Sequence, residues 1–287
     1  MDLCNSNDIK ALLGRHGFRF SKSMGQNFLI QGWVPRDIAD SSGADQSCGV
    51  LEIGPGIGPL TVQLAQRAGK VAAVELDRDL LPILAETLSP FDNVTVIPGD
   101  AMKLDLAALA AEQFPGLTPL ACANLPYNIT TPVITALIEA GCFASITVMI
   151  QREVAKRICA GPGTSDYGAF SLFCQYYTTP EYLFEVPPEC FLPAPKVTSA
   201  VIRMVPRAEL AQTLVEDAFF FRVVRASFAQ RRKTLLNGLS AAFGDKLGKD
   251  QLRQAIADAG LPEGVRGEKL GIPEFAALAQ ALQALGA

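Results

Sequence analysis

The chain is short of the groups on which much enzyme chemistry depends. It holds one histidine, His16, in 287 residues, which argues against histidine triads and histidine metal clusters. His16 lies in a basic segment, where a solvated or RNA-facing histidine is expected rather than a catalytic one. Seven cysteines (Cys4, Cys48, Cys122, Cys142, Cys159, Cys174 and Cys190) are scattered without a C-x-x-C pair. That spacing fits neither a zinc site nor a disulfide framework. Most are expected to be buried as small hydrophobes in a reducing compartment. No apolar run approaches the roughly 18 residues that a membrane span needs. The amino terminus carries Asp2 and Asp8 in place of the lysines of a secretory signal, and no apolar stretch follows. These absences predict a soluble, cytoplasmic protein with no metal site, and nothing in them calls for more than a monomer.

What is present is ordinary in bulk and uneven in detail. Half of the residues are apolar and a fifth are charged, enough for one large domain with its own core and a smaller one. The net charge of −4 argues against a surface that is basic throughout. Two stretches nevertheless carry cations and no acid. Ile9–Val34 contains Lys10, Arg15, Arg19 and Lys22, and Ala218–Asn237 contains Arg222, Arg225, Arg231, Arg232 and Lys233. Such patches can bind a phosphate backbone locally. On charge alone, solvated helix faces account for them equally well.

Along the first two-thirds of the chain, short β-branched strands alternate with helical segments. Gly49–Ile53, Val71–Glu75, Val94–Ile97, Leu120–Ala123 and Ile146–Ile150 read as strands, with helices over Leu60–Ala68 and Asp77–Leu88. Strands that are apolar throughout, in a βαβ rhythm, predict a mostly parallel sheet covered on both faces. Glu181–Val186 and Ser199–Val205 read as two further strands forming an antiparallel edge. From Arg207 onward only helical periodicity remains, with glycine stops at Gly238, Gly244, Gly260 and Gly271 and a last helix over Ile272–Leu285. The reading is an α/β domain over residues 1–206 and a small all-α domain over 207–287.

Glu52-Ile-Gly54-Pro-Gly56-Ile-Gly58 follows the first strand of the α/β pattern and opens a helix. Absent side chains let the backbone turn tightly and approach a ligand at a helix amino terminus. Dinucleotide enzymes space their glycines G-x-G-x-x-G, and Pro59 occupies that third position here. The spacing G-x-G-x-G, with an acid two residues before, is the pattern of S-adenosylmethionine sites. Glu75 ends the next strand, where an acceptor can hold two ribose hydroxyls. Asp100 follows the third strand, where it can accept from an adenine amine. Each acid taken singly also suits a solvated strand end or a helix cap, Asp77 above all. Together with the loop they favour the cofactor.

Asn124-Leu-Pro-Tyr-Asn128 directly follows the fourth strand, on the same carboxyl edge, where open α/β sheets bind ligands. The lone pair of adenine N6 is delocalised into the ring and is a poor nucleophile. Two carbonyl acceptors, the Asn124 side chain and the Leu125 backbone, would draw the amine hydrogens out of plane and localise that pair. Pro126 stiffens the turn, and Tyr127 offers a face to a flipped-out base, with stacking of about 1–3 kcal/mol. Asparagine, proline and an aromatic recur in this order in amino-methyltransferases of adenine and cytosine.

With these residues in view, the chain resembles the KsgA (RsmA) family of ribosomal RNA adenine N6,N6-dimethyltransferases over nearly its whole length. The match rests on Met24–Leu29, Leu51–Gly58, Val74–Asp77, Gly99-Asp100, Asn124–Pro132, Phe191–Ser199 and Phe228–Leu235. The resemblance implies a Rossmann-like class I methyltransferase with a seven-stranded sheet and a helical C-terminal domain. It implies an S-adenosylmethionine site made of Gln26, Asn27, Leu29, Gly54, Gly56, Glu75, Leu76, Asp100, Ala101 and Asn124. It also implies a catalytic set of Asn124, Leu125, Pro126, Tyr127 and Phe191, with Phe191 facing the target base opposite Tyr127. The implied substrate is a pair of adjacent adenines in a hairpin near the 3′ end of small-subunit rRNA, presented in an immature subunit. Arg222, Arg225, Arg231, Arg232 and Lys233 would meet the RNA.

Three other readings compete. An Erm-type enzyme acts on one adenine of large-subunit rRNA; Leu125 and the long Phe191–Ser199 motif favour the small-subunit family. A binding-only ribosome-assembly or transcription factor would not need the intact Asn124–Tyr127 loop. A nicotinamide dehydrogenase is disfavoured by the glycine spacing and by the missing hydride-site histidine.

Overall fold

The computed structural model describes residues 1–19, 26–208, 215–230 and 232–287. Lys22, Met24 and Arg231, named above, lie outside the described residues. The chain runs through α1 (Ser6–Arg15), β1 (Phe28–Leu29), α2 (Trp33–Ser41), β2 (Cys48–Ile53), α3 (Pro59–Ala65) and β3 (Lys70–Glu75). It continues with α4 (Leu81–Thr87), β4 (Val94–Pro98), α5 (Leu106–Gln113), β5 (Thr118–Asn124), α6 (Thr130–Glu139) and β6 (Ile146–Gln151). Next come α7 (Arg152–Cys159), α8 (Ala169–Tyr177), β7 (Thr178–Val186), β8 (Phe191–Leu192) and β9 (Ser199–Pro206). It ends with α9 (Asp217–Phe228), α10 (Leu235–Phe243), α11 (Lys249–Asp258) and α12 (Ile272–Ala284). None of the described helices is long and apolar enough to cross a membrane.

Two compact units result: Met1–Ala155 with Pro180–Pro206, and Lys156–Thr179 with Arg207–Ala287. The first is built on a seven-stranded sheet in the order β4-β3-β2-β5-β6-β9-β7. The strands β4, β3, β2, β5 and β6 are mutually parallel, and β9 returns antiparallel to β6. All six residues of β2 are buried, which follows from its central place and from cover on both faces. Val34, Ile38, Leu60 and Leu64 of α2 and α3 pack with Val50, Leu120, Cys122 and Met149 of the sheet. Gly49 points the other way, and a Cβ there would stand 2.3 Å from the Phe114 ring. Phe114, at the end of α5, thus lies directly on bare backbone of the opposite face.

A separate two-stranded ribbon pairs β1 antiparallel with β8, Phe28 opposite Leu192 and Leu29 opposite Phe191. Ile9, Leu12 and Leu13 of α1 share a buried cluster with Phe28, Ile57, Leu80 and Ile83. His16 is exposed, as a solvated histidine would be, and its Nε2 lies 2.6 Å from the Glu86 carboxylate, which Arg15 also meets.

The second unit holds a core of its own, in which Phe220, Val223 and Val224 of α9 meet Leu235, Leu239, Phe243, Leu252, Phe275 and Leu278. Tyr167, Leu172 and Tyr176 belong to the same cluster. Tyr176 and Tyr177 both donate hydroxyls to Asp217 at 2.8 Å. Residues 156–179, expected with the sheet domain, are therefore part of the helical unit, because α8 buries its apolar face there. Gly238, expected as a stop, sits inside α10. A Cβ on it would fall 2.4 Å from the Ala226 carbonyl oxygen, so glycine is kept where α10 crosses the end of α9. Gly260 (φ 72°) follows the end of α11, and Gly271 precedes α12. Four of the cysteines (Cys48, Cys122, Cys174 and Cys190) are buried, three are partly so, and all seven are free thiols.

Candidate active site

Parallel strands deliver their carboxyl ends to one edge of a sheet, where the loops that follow them meet. The loop after β2 turns through Gly54 and Gly56, with φ of 71° and 62°, the left-handed region that side-chained residues rarely adopt. A Cβ on Gly54 would meet nothing within 4 Å, so the backbone there borders open space. The Gly54 N–H donates to the Val74 carbonyl at 2.9 Å, tying the turn to β3. Glu75, the last residue of β3, accepts the N–H groups of Gly56 at 3.3 Å and Asp77 at 2.8 Å. Burial pushes its pKa up, and these backbone donors oppose the shift. A carboxylate has about four lone-pair sites, so Glu75 retains acceptor capacity for a ligand.

Asp100 caps the short turn after β4, accepting the Met102 N–H at 3.0 Å, with Lys103 Nζ at 3.7 Å. Leu76 and Met102 are 51% and 41% exposed although apolar, and both line the same cavity as the two acids. Gln26 reaches this edge from the N-terminal segment, donating through Nε2 to Asp77 Oδ2 at 2.6 Å. Asp77 also accepts the Asp79 N–H, so it is both a cap and an anchor.

Asn124 closes β5, and its half-buried side-chain amide has no hydrogen-bond partner among the described residues. Leu125 is buried, its N–H donating to the Met149 carbonyl at 3.1 Å. The Pro126 carbonyl accepts the Thr130 hydroxyl at 3.1 Å and the Ile129 N–H at 3.3 Å, closing the loop into α6. Tyr127 is half-buried, with its hydroxyl 2.8 Å from Ser199 Oγ at the head of β9. Phe191 comes from β8, held in register with Leu29 of β1.

One cavity collects all of these groups. Gln26, Asn27, Leu29, Gly54, Gly56, Glu75, Leu76, Asp100, Ala101 and Asn124 line it together with Leu125, Pro126, Tyr127 and Phe191. Sequence reasoning did not assign Phe28, Asp77, Met102 or Ile129, which line it too. It noticed Glu52 only as part of a spacing. Glu52 is 1% exposed, and its Oε2 has no hydrogen-bond partner among the described residues. Burial pushes this carboxyl up to about 8, with the Thr61 hydroxyl opposing the shift and the neighbouring Glu75 charge adding to it. The available signal was an acid in the middle of an otherwise apolar strand.

The cations expected to meet RNA lie in the second unit, and they are not equivalent. Arg222 donates to the Ala242 carbonyl at 2.9 Å and stands over the Phe243 ring, 4.4 Å from its centroid. Its guanidinium is thus committed to packing α9 on α10. Arg225, Arg232 and Lys233 are exposed, while Arg231 lies outside the described residues.

Comparison with known proteins extends these observations. A profile of the ribosomal RNA adenine dimethylase family matches residues 17–283. The ribosomal RNA small subunit methyltransferase A of Streptococcus pneumoniae (strain JJA) is 48% identical over 289 residues, covering all of both chains. That of Geobacillus thermodenitrificans is 48% identical over 99% of this chain and 98% of its own. Among solved structures, a dimethyladenosine transferase from Plasmodium falciparum aligns with a TM-score of 0.74 at 24% identity, over 90% of this chain and 98% of the other. The 23S rRNA methyltransferase ErmE aligns with a TM-score of 0.67 at 27% identity, over 90% of this chain and all of its own. The two likenesses establish the Rossmann-like methyltransferase architecture read from the strand pattern, with its appended helical region.

Proposed function

The chain belongs to the ribosomal RNA adenine dimethylase family, and from that premise we infer that it uses S-adenosylmethionine to dimethylate adenine N6 in small-subunit ribosomal RNA. The observation that carries this reading is a juxtaposition. One cavity joins the glycine turn, Glu75 and Asp100 to the amide of Asn124 and the Tyr127 ring.

The residues present fit the cofactor. The bare backbone at Gly54 borders open space, Glu75 keeps acceptor capacity toward ribose hydroxyls, and Asp100 toward an adenine amine. The exposed side chains of Leu76 and Met102 suit the faces of that adenine. Gln26, Asn27, Leu29, Gly56 and Ala101 complete this half of the cavity. S-Adenosylmethionine supplies a methyl group on a sulfonium, whose sulfur departs as a neutral thioether. The protein's contribution is then positioning and in-line geometry.

The target adenine is assigned to the other half. The Asn124 side-chain carbonyl and the Leu125 backbone carbonyl accept the two N6 hydrogens and localise the lone pair for attack. As the N–CH3 bond forms, N6 becomes cationic and acidic, so its proton departs without a strong base. Tyr127 and Phe191 flank the flipped base. The substrate assigned is a pair of adjacent adenines in a hairpin near the 3′ end of the rRNA, met in an immature subunit. The protein is assigned to the cytoplasm, as a monomer acting during small-subunit assembly, and Arg225, Arg231, Arg232 and Lys233 are assigned to RNA.

The test separates the two halves of the cavity. Tyr127→Ala and Phe191→Ala are expected to lower methyl transfer while calorimetric binding of S-adenosylmethionine stays close to wild type. Loss of cofactor binding in both would remove the base-stacking roles.

A further inference from the structure

Tyr127 is held at two ends. Its backbone sits in the Pro126–Thr130 turn, fixed by the Thr130 hydroxyl and the Ile129 N–H on the Pro126 carbonyl. Its hydroxyl lies 2.8 Å from Ser199 Oγ, across 72 residues of sequence. Ser199 is 1% exposed. It begins β9, where it pairs with Gln151 at the end of β6, so its Cα is set by the sheet rather than by a loop. A buried hydroxyl must find a partner. Here the partner is the one side chain of the Asn124–Asn128 loop whose ring must be placed for stacking.

We propose that Ser199 is a positioning residue: its hydroxyl fixes the long axis of the Tyr127 ring, so that the ring meets the target adenine while N6 lies in line with the methyl donor. This rests on the reading of Tyr127 as the base-stacking residue. With its Cβ end and its hydroxyl both anchored, the ring cannot swing into the cavity when the base is absent. The site is therefore shaped before the adenine arrives, and less conformational freedom is lost on binding. Burial raises the Tyr127 pKa and the Ser199 contact opposes that shift, as a short hydroxyl–hydroxyl contact should. The anchor acts through Tyr127 and does not touch the base.

The test is a double-mutant cycle in the full-length protein, with Ser199→Ala, Tyr127→Phe and both together. Single-turnover methyl transfer to immature small subunits is measured at saturating cofactor and RNA. Each single variant is expected to lower the rate about five- to tenfold, the size of one hydrogen bond, with cofactor binding unchanged by calorimetry. The double variant should be no slower than either single one, and Ser199→Thr should restore most of the rate. A structural readout accompanies the rate. The ring resonance of 13C-labelled Tyr127, assigned by its absence in Tyr127→Phe, should move in Ser199→Ala and return in Ser199→Thr. Wild-type rates in both single variants, or losses that multiply in the double one, would overturn the positioning role. Tyr127→Ala tells the two failures apart: a wild-type rate there refutes the stacking assignment itself. A slow Tyr127→Ala beside fast Ser199→Ala and Tyr127→Phe refutes only the anchor.

Discussion

Glu52 carries the clearest single-residue consequence of the fold. In an unfolded chain a glutamate titrates near 4.3, whereas in the native protein burial pushes this carboxyl up to about 8. Between those values the native state binds one more proton than the unfolded state. Stability in the absence of ligand must therefore fall as pH rises through that window, by at most about 1.4 kcal/mol per pH unit. Denaturant unfolding from pH 5 to 8 should show this decline in the wild type and a flatter curve in Glu52→Gln. Parallel curves would contradict the assignment. Asn124 and Tyr127 stood out in the sequence because the Asn-Leu-Pro-Tyr order has few other uses, and both line the cavity at the sheet edge. The Glu52 Oε2 without a partner among the described residues and the tie from Tyr127 to Ser199 did not. Both depend on which side chains face each other across the sheet edge, and no local pattern encodes that.

Elements were legible where hydrophobic period and glycine chemistry agreed. The seven strands of the sheet stand where alternation of apolar runs and turns placed them, and the tight glycine turn expected after β2 is there, with Gly54 and Gly56 in the left-handed region. The N-terminal ribbon of β1 and β8, two residues on each side, is too short to carry a period, so the register of Leu29 with Phe191 was invisible. Gly238 was misread because glycine ordinarily weakens a helix by about 1 kcal/mol relative to alanine. Here the close crossing of α9 and α10 overrides that preference. Gly238→Ala, which would push a methyl to 2.4 Å from the Ala226 carbonyl oxygen, should destabilise by about 1–3 kcal/mol, read as a lowered Tm. An unchanged or raised Tm would mean the helices are free to separate. Phe191 is 3% exposed within the sheet-side core, so Phe191→Ala should also cost about 3–5 kcal/mol of stability. Phe191→Leu should cost much less while still slowing methyl transfer.

For the whole molecule, a net charge of −4 sets a limit on how RNA is held. A few exposed cations on an acidic chain give local contacts, each worth a salt-dependence slope of about 0.9 per phosphate neutralised. Reversing Arg225 and Arg232 together should weaken subunit binding and reduce that slope by about two. Arg222→Ala should instead lower Tm with the slope unchanged, because its guanidinium serves Phe243 and Ala242. An unchanged slope in the double reversal would mark those cations as solvated surface. The reaction and its substrate are tested together by transfer of labelled methyl groups from S-adenosylmethionine to purified immature small and large ribosomal subunits, followed by nucleoside analysis. N6,N6-dimethyladenosine in small-subunit RNA alone is the predicted result; label in large-subunit RNA, or none in either despite measurable cofactor binding, would contradict it.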